Sequence, residues 1–114
     1  MNKVQLIGRL TRDVELRYTA GQMAVANFTV AVDKVKKTEG KTADFIRCVV
    51  FGKTAENVEK YLGKGSLVGV EGSINTGSYT DKNGNTVFTT DVLCERVEFL
   101  GKGKSSDALP EFDF

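Results

Sequence analysis

An all-β barrel carrying a single helix is the fold class that the sequence predicts. Short segments of alternating apolar and polar residues recur along the chain, separated by glycine and polar turn residues. One stretch, 54–62, has helical spacing instead. At 114 residues there is room for one domain with one modest core.

The elements follow in order. Val4–Leu10 alternates, with Val4, Leu6 and Leu10 on one face and Gln5, Ile7 and Arg9 on the other. Gly8 within it predicts a bulge or bend of the kind that turns a barrel corner. Residues 24–33 turn Phe28, Val30 and Val32 inward and Asn27, Thr29 and Asp33 outward, and 44–51 form a third strand. In the helix, Thr54 is the expected cap, Ala55, Val58 and Leu62 share a face, and Gly63 closes the end. Residues 67–74 make the fourth strand. Asn83-Gly84, inside Asp81–Asn85, predicts a hairpin flanked by Tyr79 and Val87, and 87–100 form a long, bent last strand. Five strands with a helix between the third and fourth is the order of a Greek-key OB-fold barrel. Residues 1–101 are therefore read as the domain and 102–114 as a short, flexible, acidic tail. OB-folds bind oligonucleotides and oligosaccharides alike, so the fold alone does not give the function.

Composition removes several classes of chemistry. The chain has no histidine, and with it go the commonest general base and zinc ligand. Cys48 and Cys94 lack metal-ligand spacing and read as buried, reduced thiols. Gly63-Lys64-Gly65-Ser66 precedes a strand and lacks the spacing of a phosphate-binding loop. The carboxylates are scattered. Catalysis, a cofactor and a metal are therefore not expected. No stretch has the roughly 20 apolar residues of a membrane helix. The amino-terminal residues run into a strand pattern, so a cytoplasmic location is expected. Net charge is only +1, but it is unevenly spread. Residues 1–104 hold all 16 Lys and Arg and 12 of the 15 Asp and Glu, a balance of +4, while the last ten residues carry −3.

The chemistry concentrates in the third strand, Phe45-Ile46-Arg47-Cys48-Val49-Val50-Phe51. Alternation puts Ile46, Cys48 and Val50 in the core and Phe45, Arg47, Val49 and Phe51 on the opposite face. Phenylalanines are usually inside, and a strand covered on both faces would explain them. The arginine between them argues for an open face, because an unpaired buried charge is costly. Two rings flanking a guanidinium suit bases that stack while phosphate meets the cation. Tyr79 on the hairpin is either a packing partner or a second platform, and Lys82 rides on the same hairpin. Lys53 and Lys64 bracket the helix, and Arg9, Arg12 and Arg17 cluster near the first strand. Lys34, Lys36, Lys37 and Lys41 mark a flexible loop placed to close over a nucleic acid. Each cation alone reads as a solvated charge; together with the rings they form the interleaving expected for a single strand.

Several segments together resemble the bacterial and phage single-stranded DNA-binding proteins. They are Val4-Gln5-Leu6-Ile7-Gly8-Arg9-Leu10, Asp13 with Arg17-Tyr18, Ala24 to Ala31, Val49-Val50-Phe51-Gly52-Lys53, Lys64-Gly65-Ser66, Val70-Glu71-Gly72 and Tyr79-Thr80-Asp81. The likeness covers about residues 1–100. It implies sequence-independent binding and protection of single-stranded DNA in replication, recombination and repair. Phe45, Phe51 and Tyr79 fall where that family places its stacking aromatics, and Arg47, Lys53 and Lys64 at positions facing the DNA backbone. It implies a homotetramer built by pairing first strands, Val4 to Leu10, with DNA wrapped outside. It also implies that an acidic tip, here ending Asp113-Phe114, recruits replication and repair proteins. Lys34-Val35-Lys36 stands where the family usually has another ring, and Asn75–Ser78 replaces a stretch often rich in cations. Both imply weaker binding. An RNA-binding or adaptor OB domain is the alternative from another class; a metal-dependent nuclease, without histidine or an acidic cluster, is the weaker enzymatic one.

Overall fold

The computed structural model describes residues 1–38 and 41–101, except for the side chains of 35–38 and 41. The elements are β1 (Val4–Leu10), β2 (Glu15–Tyr18), β3 (Ala24–Thr38), β4 (Lys41–Phe51), α1 (Lys53–Tyr61), β5 (Leu67–Thr80) and β6 (Thr86–Gly101). They form one sheet in the order β1-β5-β6-β4-β3-β2, and β1 also pairs with β3. That last pairing closes five strands into a barrel, with β2 laid along the outer edge of β3. The architecture is an OB-fold, with its helix between β4 and β5. The β4–β6 contact is parallel, and every other pairing is antiparallel.

The strands close because their inward positions are apolar and mostly small. Ala26, Phe28, Val30, Cys48, Val50, Val68, Val70 and Val92 fill the barrel, and Ala55, Val58 and Leu62 of α1 join the same core. Where β1 crosses β3, a Cβ on Gly8 would strike the carbonyl oxygen of Ala31 and the side chain of Val30. The β1 ladders run without a register shift, so Gly8 permits close approach rather than forming a bulge. Shifts sit instead in the β5–β6 ladder, at Leu67/Val68 and at Glu71/Gly72, where a Cβ on Gly72 would strike the Leu93 carbonyl.

Four sequence expectations change. Glu15–Tyr18 forms an additional short strand, held by pairing with Ala24–Asn27. The helix begins one residue earlier: Gly52, at φ 74°, turns the chain out of β4 and is the N-cap, without a side-chain cap. Thr54 therefore lies inside the first turn. Leu62, in extended conformation, ends the helix, and Gly63 follows as a donor to the buried Ser66 Oγ at 2.9 Å. The segment holding Lys34, Lys36, Lys37 and Lys41 is not a loop. β3 runs on to Thr38 and β4 starts at Lys41, their ladder resuming after an irregularity beyond Asp33. Likewise β5 continues through Asn75–Ser78 to Thr80, paired to β6 the whole way. From Ile74 to Thr80 every β5 residue is exposed, so this end of the β5–β6 ladder is a hairpin arm beyond the barrel.

Candidate nucleic-acid interface

β4 carries the site, and its alternation is the reason. Ile46 is half-buried and Cys48 and Val50 are buried inside the barrel, whereas Phe45 is 68% exposed, Phe51 44% exposed, and Arg47 exposed between them. The register extends this face across the neighbours. Phe51 lies beside Val25, which lies beside Arg17; Arg47 lies beside Thr29, and Val49 beside Asn27. On the other flank Val49 adjoins Leu93, and Leu93 adjoins Ser73. Counting by twos from Ser73 brings Tyr79, 57% exposed, to the same side of the sheet out on the arm.

Between β2, β3 and β4 the face dips into a groove of about 340 Å³ whose lining includes Arg12, Arg17, Asn27, Thr29 and Arg47. Asp13 and Glu15 also line it, so its cations outnumber its carboxylates three to two. Asp13 accepts the Lys64 backbone N–H at 2.9 Å and ties the loop after α1 to the loop after β1. The side chain of Lys64 is left exposed.

The remaining cations differ in how free they are. Lys53 is 82% exposed, 3.9 Å from Glu56 across one turn of α1. Lys82 is exposed in the hairpin turn, which Asp81 organises by accepting the N–H groups of Asn83 and Asn85 at 2.9 Å each. Arg9 is exposed but donates to the Gly65 carbonyl at 2.9 Å, on the β1 side of the barrel. Lys34 is engaged by Asp44, beside Phe45. The side chain of Lys36, and all of Asp113 and Phe114, lie outside the described residues. The structure thus brings Arg17, Arg47, Phe45 and Phe51 onto one continuous face and sets Tyr79 and Lys82 on the adjoining arm.

Sequence reasoning missed two groups. Phe88 is 80% exposed and pairs with Ser78 on the opposite side of the arm from Tyr79. Alternation puts it on the side of the buried Val92, four residues on, and so predicts burial; it is exposed because the arm runs on beyond the barrel. Asp91 was passed over as one scattered carboxylate. Its Oδ1 stands 3.9 Å from Arg47 Nε. Among the described residues no group of three or more His, Cys, Asp and Glu could hold a metal ion.

Residues 1–100 match the single-strand binding protein family. The chain belongs to that family. It is 56% identical over 102 residues to a single-stranded DNA-binding protein of Halalkalibacterium halodurans, covering 88% of this chain and 61% of that protein. It is 50% identical to single-stranded DNA-binding protein 2 of Listeria monocytogenes, covering 88% and 64%. It is 51% identical over 109 residues to single-stranded DNA-binding protein 3 of Clostridium acetobutylicum, covering 94% and 76%. The chain thus spans less than two thirds of the length of the first two relatives. In this single-strand binding family member, the matched segment includes the whole barrel and both flanks of the aromatic face.

Proposed function

We propose that the protein binds single-stranded DNA without sequence preference and protects it during replication, recombination and repair. The observation that carries this reading is the row of exposed rings and cations on one sheet face: Phe45, Arg47 and Phe51 on β4, with Arg17 alongside and Tyr79 on the arm. Bases stack on the rings at about 1–3 kcal/mol each, and any base serves because each has a flat face. Arg17, Arg47, Lys53, Lys64 and Lys82 supply phosphate contacts whose counterion release makes affinity fall with salt, while Arg9 and Lys34 stay on the Gly65 carbonyl and Asp44. The protein acts by sequestration and carries out no reaction. Phe51→Ala is expected to weaken binding of a labelled dT oligomer at least about tenfold, measured by anisotropy against a matched uridine RNA. Unchanged affinity would mean that the ring is idle, and preference for the RNA would favour the RNA-binding alternative.

Two further assignments belong to this reading. The first strands, Val4, Gln5, Leu6, Ile7, Gly8, Arg9 and Leu10, join copies of the chain into a homotetramer. Support comes from the edge of β1: among the described residues, β5 pairs with Val4 to Arg9, but β3 meets only Arg9 and Leu10, leaving Val4 to Gly8 with one edge unpaired. Residues 1–101 then form the DNA-binding domain. The acidic segment 102–114 recruits replication and repair proteins through Asp113 and Phe114, in the cytoplasm. Removing the last six residues is expected to abolish co-purification of those proteins while leaving dT binding intact, and retained partners would overturn the role. Among the described residues no helix is long and apolar enough to cross a membrane.

A further inference from the structure

We propose that Asp91 is a positioning residue for Arg47, holding the guanidinium over the aromatic row so that it lines the groove shared with Arg12 and Arg17. The parallel register that pairs Cys48 with Val92 brings Arg47 beside Asp91, both pointing out of the barrel. Asp91 Oδ1 is 3.9 Å from Arg47 Nε, the nitrogen nearest the side-chain stem. The two groups are unequally open: the Arg47 side chain is 59% exposed, that of Asp91 only 22%. A phosphate therefore meets the cation first, while the carboxylate lies deeper. Arg47 is thus flanked by Asp91 on β6 and by the groove residues Asn27 and Thr29 on β3.

Two opposed effects act on the pair. A long arginine chain free to swing loses rotamer entropy when it grips phosphate, and a carboxylate that restrains it beforehand removes part of that loss. The same carboxylate repels the approaching phosphate. If restraint dominates, Asp91 helps binding only while Arg47 is present; once Arg47 is gone, only repulsion remains. The sign of the Asp91 effect therefore depends on the residue at 47.

This inference rests on the single-stranded DNA reading, and one experiment separates their failures. Asp91→Asn, which keeps size and removes charge, is made in the unsubstituted chain and in Arg47→Gln, and each is titrated with labelled dT oligomer. In the Arg47 background the substitution is expected to weaken binding about two- to fivefold. In the Arg47→Gln background it is expected to leave binding unchanged or strengthen it. Weaker binding in both backgrounds would show a structural role, and stronger binding in both would show simple repulsion; either overturns positioning. If Asp91→Asn fails to fold, Asp91→Glu, which keeps the charge but shifts the carboxylate by one methylene, makes the same comparison. A loss of binding confined to the Arg47 background then supports positioning, and any other pattern overturns it. Absence of binding by the unsubstituted protein would sink the DNA reading and this inference together.

Discussion

Phe45, Phe51, Tyr79 and Phe88 keep between 44% and 80% of their surface in solvent, although burying a phenyl ring is worth about 1.5–3 kcal/mol. The fold leaves that energy unused, and a base stacked there as proposed would recover a similar amount, about 1–3 kcal/mol. The inner side of β4 has the opposite character. Cys48 is buried and unbridged, its thiol against that of Cys94, which is also buried and free. Contact with the Cys94 thiol, reinforced by burial, pushes the Cys48 thiol well above its ordinary value, while Cys94, as the partner, moves down. The consequence for Cys48 has a definite sign. In the unfolded chain a thiol ionises near pH 8.5, but folded Cys48 keeps its proton, so above that pH the folded state binds more protons. Its contribution to stability is full below about pH 8.5 and declines as pH rises further. Thermal melts at pH 8.5 and 10 should show a midpoint that falls from the first to the second, and a shallower fall in Cys48→Ala. An equal fall in the variant would assign the alkaline loss to other groups.

At the scale of elements, what could be read from the sequence was whatever one wet and one dry side had written into it. β4 is such a strand, and its period of two placed Phe45, Arg47 and Phe51 outside and Cys48 and Val50 inside, as the structure has them. β1 and the barrel half of β3 were legible for the same reason. Alternation fails where β5 leaves the barrel, because water then lies on both sides. Lys34-Val35-Lys36-Lys37 reads as a loop, yet β3 runs on to Thr38, its ladder to β4 breaking beyond Asp33 and resuming at Thr38; Asn75-Thr76-Gly77-Ser78 lies past the predicted end of the fourth strand, yet its ladder to β6 continues unbroken. Local composition described the solvent there, not the backbone pairing. The helix start was misplaced because a glycine at positive φ did what a side-chain cap would have done. The meaning of Gly8 depends on Ala31, and the neighbour of Arg47 on β6, 44 positions further along the chain. Contacts between strands so distant in sequence leave no local trace, so the ring-and-cation row was readable and the carboxylate beside it was not.

For the whole molecule the weak point of a DNA-coating role is charge. A net +1 over the chain, with Lys34 engaged by Asp44 and Arg9 turned to a backbone carbonyl, leaves each barrel a modest phosphate contact. In the proposed homotetramer several barrels would offset this, because a strand bound at one face would meet the next at high effective concentration, raising avidity by about 10²–10⁴. The β1 side is the surface proposed above for such assembly. Next to its open edge, Ile7 is 48% exposed beside Gly69 and Glu71, and Gln5 and Glu71 hydrogen-bond there at 2.8 Å. Ile7→Arg places a charge on that surface without touching the aromatic row, so it tests assembly apart from the DNA face. Native mass of the unsubstituted chain is expected at four times 12.4 kDa, and of Ile7→Arg at a smaller multiple. Affinity for a dT oligomer short enough for one barrel should be the same in both. For a strand long enough to span several barrels, the variant should lose about tenfold or more. The two lengths are decisive together: a variant that keeps the long-strand advantage while losing mass would show that one barrel suffices, and an unsubstituted chain with the mass of a monomer would remove avidity from the mechanism altogether.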